Sequence, residues 1–235
     1  MTARILEDVV LFGADTARSR AYLSLLLQNG LSPAYCVLLM PHGAPKPSTP
    51  IETELFDNIT PLSDSARMAG IAVIEVDSDD INAPEVVNAL AGCPQNVVIF
   101  SAPAGALVKE PLFATGKCFL HVHPGKLPQY RGSTTMYYSL LAEDKICVSA
   151  LILNAQIDQG PVVGMMEAEV PADRALLDLV FDPVIRARLL VRVLARYWEV
   201  GNFQNLPQIE NDARTYFIVH PVLKHIAILS RPRDS

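Results

Sequence analysis

The sequence predicts an α/β protein built on a Rossmann-like, doubly wound and mostly parallel sheet. Three observations predict it. Short apolar runs alternate with helically periodic segments through the first 150 residues, and several of those runs are apolar without interruption, as strands are when helices cover both faces of a parallel sheet. A third observation is size, since 235 residues that are 50% hydrophobic and 19% charged suffice for one substantial core with a small appendage.

Taken in order, Asp8 to Gly13 reads as the first strand, and Ser19 to Asn29 repeats leucine at helical spacing before Gly30, a residue suited to ending a helix. Pro33 to Met40 is a second strand, and the prolines from Pro41 to Pro50 forbid regular structure and predict a loop. Ser63 to Ala69 and Pro84 to Ala91 read as helices, Ile71 to Val76 and Asn96 to Phe100 as strands. Cys118 to His123 and Cys147 to Leu153 are later strands with a helix over Thr134 to Ala142 between them. Asp173 to Val200 is one long periodic segment that Pro183 is expected to break or kink. Tyr216 to Val219 and Leu223 to Ser230 suggest a terminal hairpin or extra strands. The expected division is a main domain over residues 1–200 and a tail over residues 201–235, whose apolar strand, if exposed, would favour a homodimer.

Charge and composition exclude several functions. The formal charge is −6 with no stripe of lysine and arginine, so nucleic acid, which is held by clustered cations, is not the expected partner. Acids at Glu7 and Asp8 interrupt any signal-like apolar segment, and no apolar run approaches ~18 residues. A cytoplasmic protein without a membrane partner is expected. Cys36, Cys93, Cys118 and Cys147 are scattered without a CxxC pair, which predicts buried free thiols. The first strand–helix turn, Gly13-Ala14-Asp15-Thr16, lacks the GxGxxG pattern of dinucleotide-binding oxidoreductases.

The segment His121-Val122-His123-Pro124-Gly125-Lys126-Leu127-Pro128-Gln129-Tyr130-Arg131-Gly132 carries the chemistry. Side chains alternate along a strand, so His121 and His123 leave the sheet on one side, at the carboxyl end where open α/β sheets bind ligands. By themselves they read equally well as two ordinary loop histidines. Zinc needs about three protein ligands, and no further His, Cys or Glu cluster has suitable spacing, so no metal is expected. Asp158 lies in Ile157-Asp158-Gln159-Gly160, where an acid beside glycine is most often a turn former.

Together, HVHPGKLPQYRG and IDQG resemble the folate-dependent formyltransferases, whose strand and loop read approximately Asn-x-His-Pro-Ser-Leu-Leu-Pro-x-Tyr-Arg-Gly, followed by Leu-Asp-x-Gly. The similarity covers residues 60–165 well, including Pro61 to Val73, Ile81 to Val86 and Asn96 to Leu107. The resemblance implies a formyltransferase fold, N10-formyltetrahydrofolate as the formyl donor and a primary amine of a small molecule, such as a nucleotide-linked amino sugar, as acceptor. A hydrolase of the same donor and a non-catalytic relative are the alternatives. Carried over, His123 matches the family histidine and Asp158 the aspartate, while His121 stands where the family has asparagine and Gly125-Lys126 replace a Ser-Leu pair. The implied roles are proton transfer by His123, its orientation by Asp158, and donation to the oxyanion by His121. The pterin of the donor is expected against the small residues after the fourth strand, at Ser101, Ala102, Pro103, Ala104, Gly105 and Leu107.

Overall fold

The computed structural model describes residues 4–42, 51–103, 105–209 and 212–230. The chain divides into two compact units, residues 1–121 and 122–235. The expected loop from Pro41 to Pro50 lies outside the described residues except for Pro41 and His42, as does Ala104.

The first unit alternates strands and helices: β1 (Arg4–Ala14), α1 (Ala17–Gln28), β2 (Leu31–Met40), α2 (Leu62–Met68), β3 (Ala72–Asp77), α3 (Pro84–Gly92), β4 (Val97–Ser101), α4 (Glu110–Phe113) and the start of β5 (Cys118–His123). All four strand pairings in it are parallel. Val9 to Phe12 of β1 and Val98 and Ile99 of β4 are fully buried, which is why those runs carry no alternating polar residue. Thr16 caps α1 by accepting a hydrogen bond from the Ser19 amide at 3.2 Å. Gly13 has a packing reason, since a Cβ there would stand 2.4 Å from the Ser101 carbonyl oxygen. The strand order reverses between β1 and β4, and at such a switch point the loop after β4 opens outward.

The second unit holds the end of β5, β6 (Arg131–Gly132), α5 (Thr135–Glu143), β7 (Ile146–Ile152), β8 (Val162–Ala168), α6 (Asp182–Val200), β9 (Thr215–Tyr216) and α7 (Pro221–Leu229). β7 and β8 are antiparallel, and the hydrogen-bonded order of the main sheet is β3-β2-β1-β4-β5-β7-β8. The fold is thus the expected mostly parallel α/β sheet with flanking helices. α6 buries Val184, Ile185, Leu189, Leu190, Val193 and Leu194, and Gly164 of β8 lets it approach, because a Cβ there would meet Val193 Cγ2 at 2.7 Å.

The periodic segment breaks at Pro183 as expected: a π-turn over Leu177–Phe181 gives way to α6 at Asp182, placing proline in the first turn, a position suited to it. The tail differs from the sequence expectation. In the tail, Leu223 to Ser230 is helical rather than extended. His220 caps α7 by accepting from the Val222 amide, Pro221 begins it, and the buried guanidinium of Arg174 donates to Ala227 O and Ser230 Oγ at its far end. The strand expected from Tyr216 to Val219 is reduced to Thr215–Tyr216, parallel to β6. All four cysteines are free, and Cys36, Cys93 and Cys147 are buried; burial pushes the Cys36 thiol up to about 12.

Candidate active site

The second unit builds a buried imidazole–carboxylate pair. His123, 2% exposed, ends β5 and is gripped by the loop that follows. Its Nε2 lies 2.6 Å from the Tyr130 carbonyl oxygen and 3.2 Å from Thr135 Oγ1. The Thr135 hydroxyl donates its own proton to Pro124 O at 2.8 Å, so it presents a lone pair to the ring. Acceptors face both ring nitrogens, and the much shorter contact at Nε2 favours that nitrogen for the hydrogen of the neutral imidazole. Nδ1 is then the basic atom, and it faces Asp158 Oδ2 at 3.4 Å.

Gly125 makes this grip possible. A Cβ at that position would come within 2.7 Å of Tyr130 O and 2.8 Å of both His123 Nε2 and Thr135 Oγ1. The departure from the family's serine is therefore matched to the way this chain holds its histidine.

Asp158 is buried and adopts φ +53°, a left-handed conformation that costs a non-glycine residue roughly 1 kcal/mol or more. Several contacts hold it. Its Oδ2 accepts from the Gly132 amide at 2.8 Å, and its main-chain carbonyl accepts from Gln208 Nε2 at 2.8 Å. The Gly160 that follows is required by a close approach, since its Cβ would fall 1.7 Å from Ile152 O.

Burial pushes the His123 imidazole below its ordinary value. The Asp158 carboxylate and the Tyr130 carbonyl oppose that shift, Arg186 reinforces it and Asp182 opposes it. Arg186 is itself buried, donating through Nε to Val122 O at 2.7 Å and pairing with Asp182 Oδ2 at 3.2 Å. It therefore fixes the carbonyl between the two histidines of β5.

The other expected residues fall as follows. His121 is half-buried two residues upstream of His123, with Nδ1 3.4 Å from Phe100 O and its ring edge-on to Phe100 at 5.8 Å. Ser101 is buried, and its hydroxyl is occupied by Ser19 Oγ at 2.8 Å and Arg18 Nε at 3.2 Å. Ala102 is buried and its carbonyl accepts from Arg18, while Pro103, Gly105 and Leu107 are exposed. Within the second unit, folding brings Asp158 beside His123, which the sequence spacing alone does not show. Tyr130 and Gly132 lie in the motif but act through the main chain, and Thr135, Arg186 and Gln208 lie outside it, so the motif did not single out any of the five as a site residue.

No family model matches the chain. Among sequence relatives, a methionyl-tRNA formyltransferase of Chloroflexus aggregans is 29% identical over 156 residues, 65% of this chain and 49% of that protein. Another, from Dehalococcoides mccartyi, is 32% identical over 160 residues, 67% of this chain and 49% of that protein, and these relatives support a formyltransferase family for the chain. The chain spans about half the length of the curated relatives it matches. Among solved structures, a sugar N-formyltransferase from a Shewanella species superposes with a TM-score of 0.58 at 17% identity, covering 94% of this chain and 86% of that one. A Helicobacter canadensis N-formyltransferase in complex with folinic acid and dTDP-3-aminofucose gives 0.56 at 15% identity over 89% and 70%. These likenesses extend the formyltransferase fold to nearly the whole chain, beyond the segment that sequence alone matches. No helix among the described residues is long and apolar enough to cross a membrane.

Proposed function

We propose that this protein transfers a formyl group from N10-formyltetrahydrofolate to the primary amine of a small molecule, with a nucleotide-linked amino sugar as the favoured acceptor class. The carrying observation is the His123–Asp158 pair, whose ring hydrogen is committed to Tyr130 O, leaving Nδ1 beside a carboxylate. The small-molecule acceptor is supported by the acidic charge of −6 and by the sugar N-formyltransferases among the structural neighbours.

In this reading the neutral amine attacks the formyl carbon, and negative charge develops on the formyl oxygen, where the His121 imidazole supplies the hydrogen bond that an asparagine amide supplies elsewhere in the family. His123 Nδ1 accepts the amine proton, and the resulting imidazolium is stabilised by Asp158. As the carbon–N10 bond breaks, the same proton passes to N10, so that the N-formylated acceptor and tetrahydrofolate leave and the imidazole is regenerated neutral. The segment from Ser101 to Leu107 is assigned to the pterin, with contact expected at the exposed Pro103, Gly105 and Leu107 rather than through the Ser101 hydroxyl, which Ser19 and Arg18 hold.

The test offers 10-formyltetrahydrofolate with nucleotide-linked amino sugars, glycinamide ribonucleotide or charged initiator tRNA, and follows release of tetrahydrofolate. Formylation of a small amine and no formylation of tRNA are expected. Robust tRNA formylation would replace the acceptor class, and formate release without an amine would make the protein a hydrolase. No turnover together with no calorimetric binding of 5-formyltetrahydrofolate would remove the folate reading.

A further inference from the structure

We infer that Gln208, in the tail after α6, is a positioning residue that holds Asp158 in its left-handed conformation and so aims the carboxylate at His123. The inference rests on the proposed chemistry for its consequence in turnover, and on geometry alone for the positioning itself.

Gln208 uses both ends of its amide. Nε2 donates to Asp158 O and Gly160 O, each at 2.8 Å, and Oε1 accepts from Arg131 Nε at 3.1 Å and Nη2 at 2.8 Å. The flipped amide would place oxygen against two carbonyls and an NH2 against a guanidinium, so the orientation is fixed by its partners. Arg131 is buried, and the next residue, Gly132, donates its amide to Asp158 Oδ2. The contacts close a ring: Arg131 holds Gln208, Gln208 holds the main chain of Asp158, and the residue beside Arg131 holds the Asp158 carboxylate.

The tail is pinned on both sides of Gln208. Leu206 and Val162 exchange two main-chain hydrogen bonds of 2.9 Å, and Thr215–Tyr216 pairs with Arg131–Gly132. At Gly132, φ +99°, a Cβ would stand 2.0 Å from Tyr216 O, so this approach is open only to glycine. The tail thus delivers to this loop one side chain whose two amide hydrogens meet two of its carbonyls.

Gln208→Glu separates positioning from tethering. A carboxylate keeps, and strengthens, the acceptor toward Arg131, but it cannot donate to Asp158 O or Gly160 O. With ring-15N histidine, the His123 Nδ1 resonance in Gln208→Glu and Gln208→Ala is expected to move toward its value in Asp158→Asn. Turnover of 10-formyltetrahydrofolate, measured with whichever acceptor of the panel is formylated, is expected to fall by about 10²-fold in kcat with little change in KM for the donor. In an Asp158→Asn background, removing Gln208 should move neither readout further. A wild-type His123 resonance in Gln208→Glu overturns the inference, as does an equal effect in both backgrounds. Gln208→Met, of similar length and without either polar end, gives the same reading if the glutamate variant does not fold, and an unmoved resonance there overturns the inference equally. If the resonance follows Gln208 while wild-type protein transfers no formyl group, the positioning role stands and the proposed reaction falls.

Discussion

The loops after β4 and after β5 both leave the carboxyl ends of parallel strands, yet they use their polar groups in opposite ways. After β4, the Ser101 hydroxyl and the Ala102 carbonyl are consumed by Ser19 and Arg18, so that polarity there closes a packing joint. After β5, the Tyr130 carbonyl, Thr135 hydroxyl and Asp158 carboxylate surround a single imidazole. The first arrangement suits a surface read through its backbone, and the second suits a proton that must move.

The largest effect expected from breaking this contrast lies at the pair itself. His123→Ala and Asp158→Ala should each lower kcat by ~10²–10⁴, and the double variant should lose much less than the product of the two. Steady-state rates on variants with wild-type circular dichroism check this; additive losses would mean that the residues act separately.

His121 comes next. His121→Ala should cost about 10²–10³ in kcat through loss of one oxyanion donor, whereas His121→Asn should keep most of the activity because its amide reaches the same oxygen. Equal damage from both substitutions would instead give His121 the proton-transfer role.

Gly125→Ala sharpens the contrast by intruding on the grip. Its Cβ would crowd His123 Nε2 and both acceptors, and overpacking of this kind costs about 1–3 kcal/mol, visible as a lower denaturation midpoint together with reduced kcat.

A pH dependence follows from the lowered pKa of His123. The unfolded chain takes up this proton below about 6.5, while the folded chain takes it up only at lower pH. Between those two values the unfolded state binds more protons, so stability rises with pH across that window and falls as the solution is acidified through it. Urea denaturation from pH 7.5 downward should show this loss, and His123→Gln should diminish it.

The smallest expected effect is at Ser101→Ala. It should lower stability by about 1 kcal/mol through one lost buried hydrogen-bonding group and leave kcat unchanged, since its hydroxyl already has protein partners. A large loss of donor affinity in this variant would return Ser101 to direct recognition.

Much of the fold was legible because it is written in local patterns. The uninterrupted Val9 to Phe12 run announced a strand covered on both faces, and the alternation of His121 and His123 located the face of β5. The α7 segment was misread because its short apolar run fits either period, and the decisive signals, Pro221 and the His220 cap, lie just before it. At the site, the sequence carried the two groups proposed to react but not what holds them. The Nε2 acceptors are a main-chain carbonyl and a threonine twelve residues away, and Gln208 reaches Asp158 across fifty residues. Nothing in the IDQG segment signals that its aspartate adopts a positive φ.

The Tyr130 carbonyl is an atom that no substitution at position 130 deletes, short of a change that moves the backbone itself. Variation can erase His123 or Asp158 in a single step, but it can retune the imidazole's tautomer only indirectly, by altering the room left at Gly125 or the lone pair offered by Thr135. The protonation chemistry of this site is thus easy to abolish and hard to adjust, and directed variation of its pH profile should begin at those two neighbours.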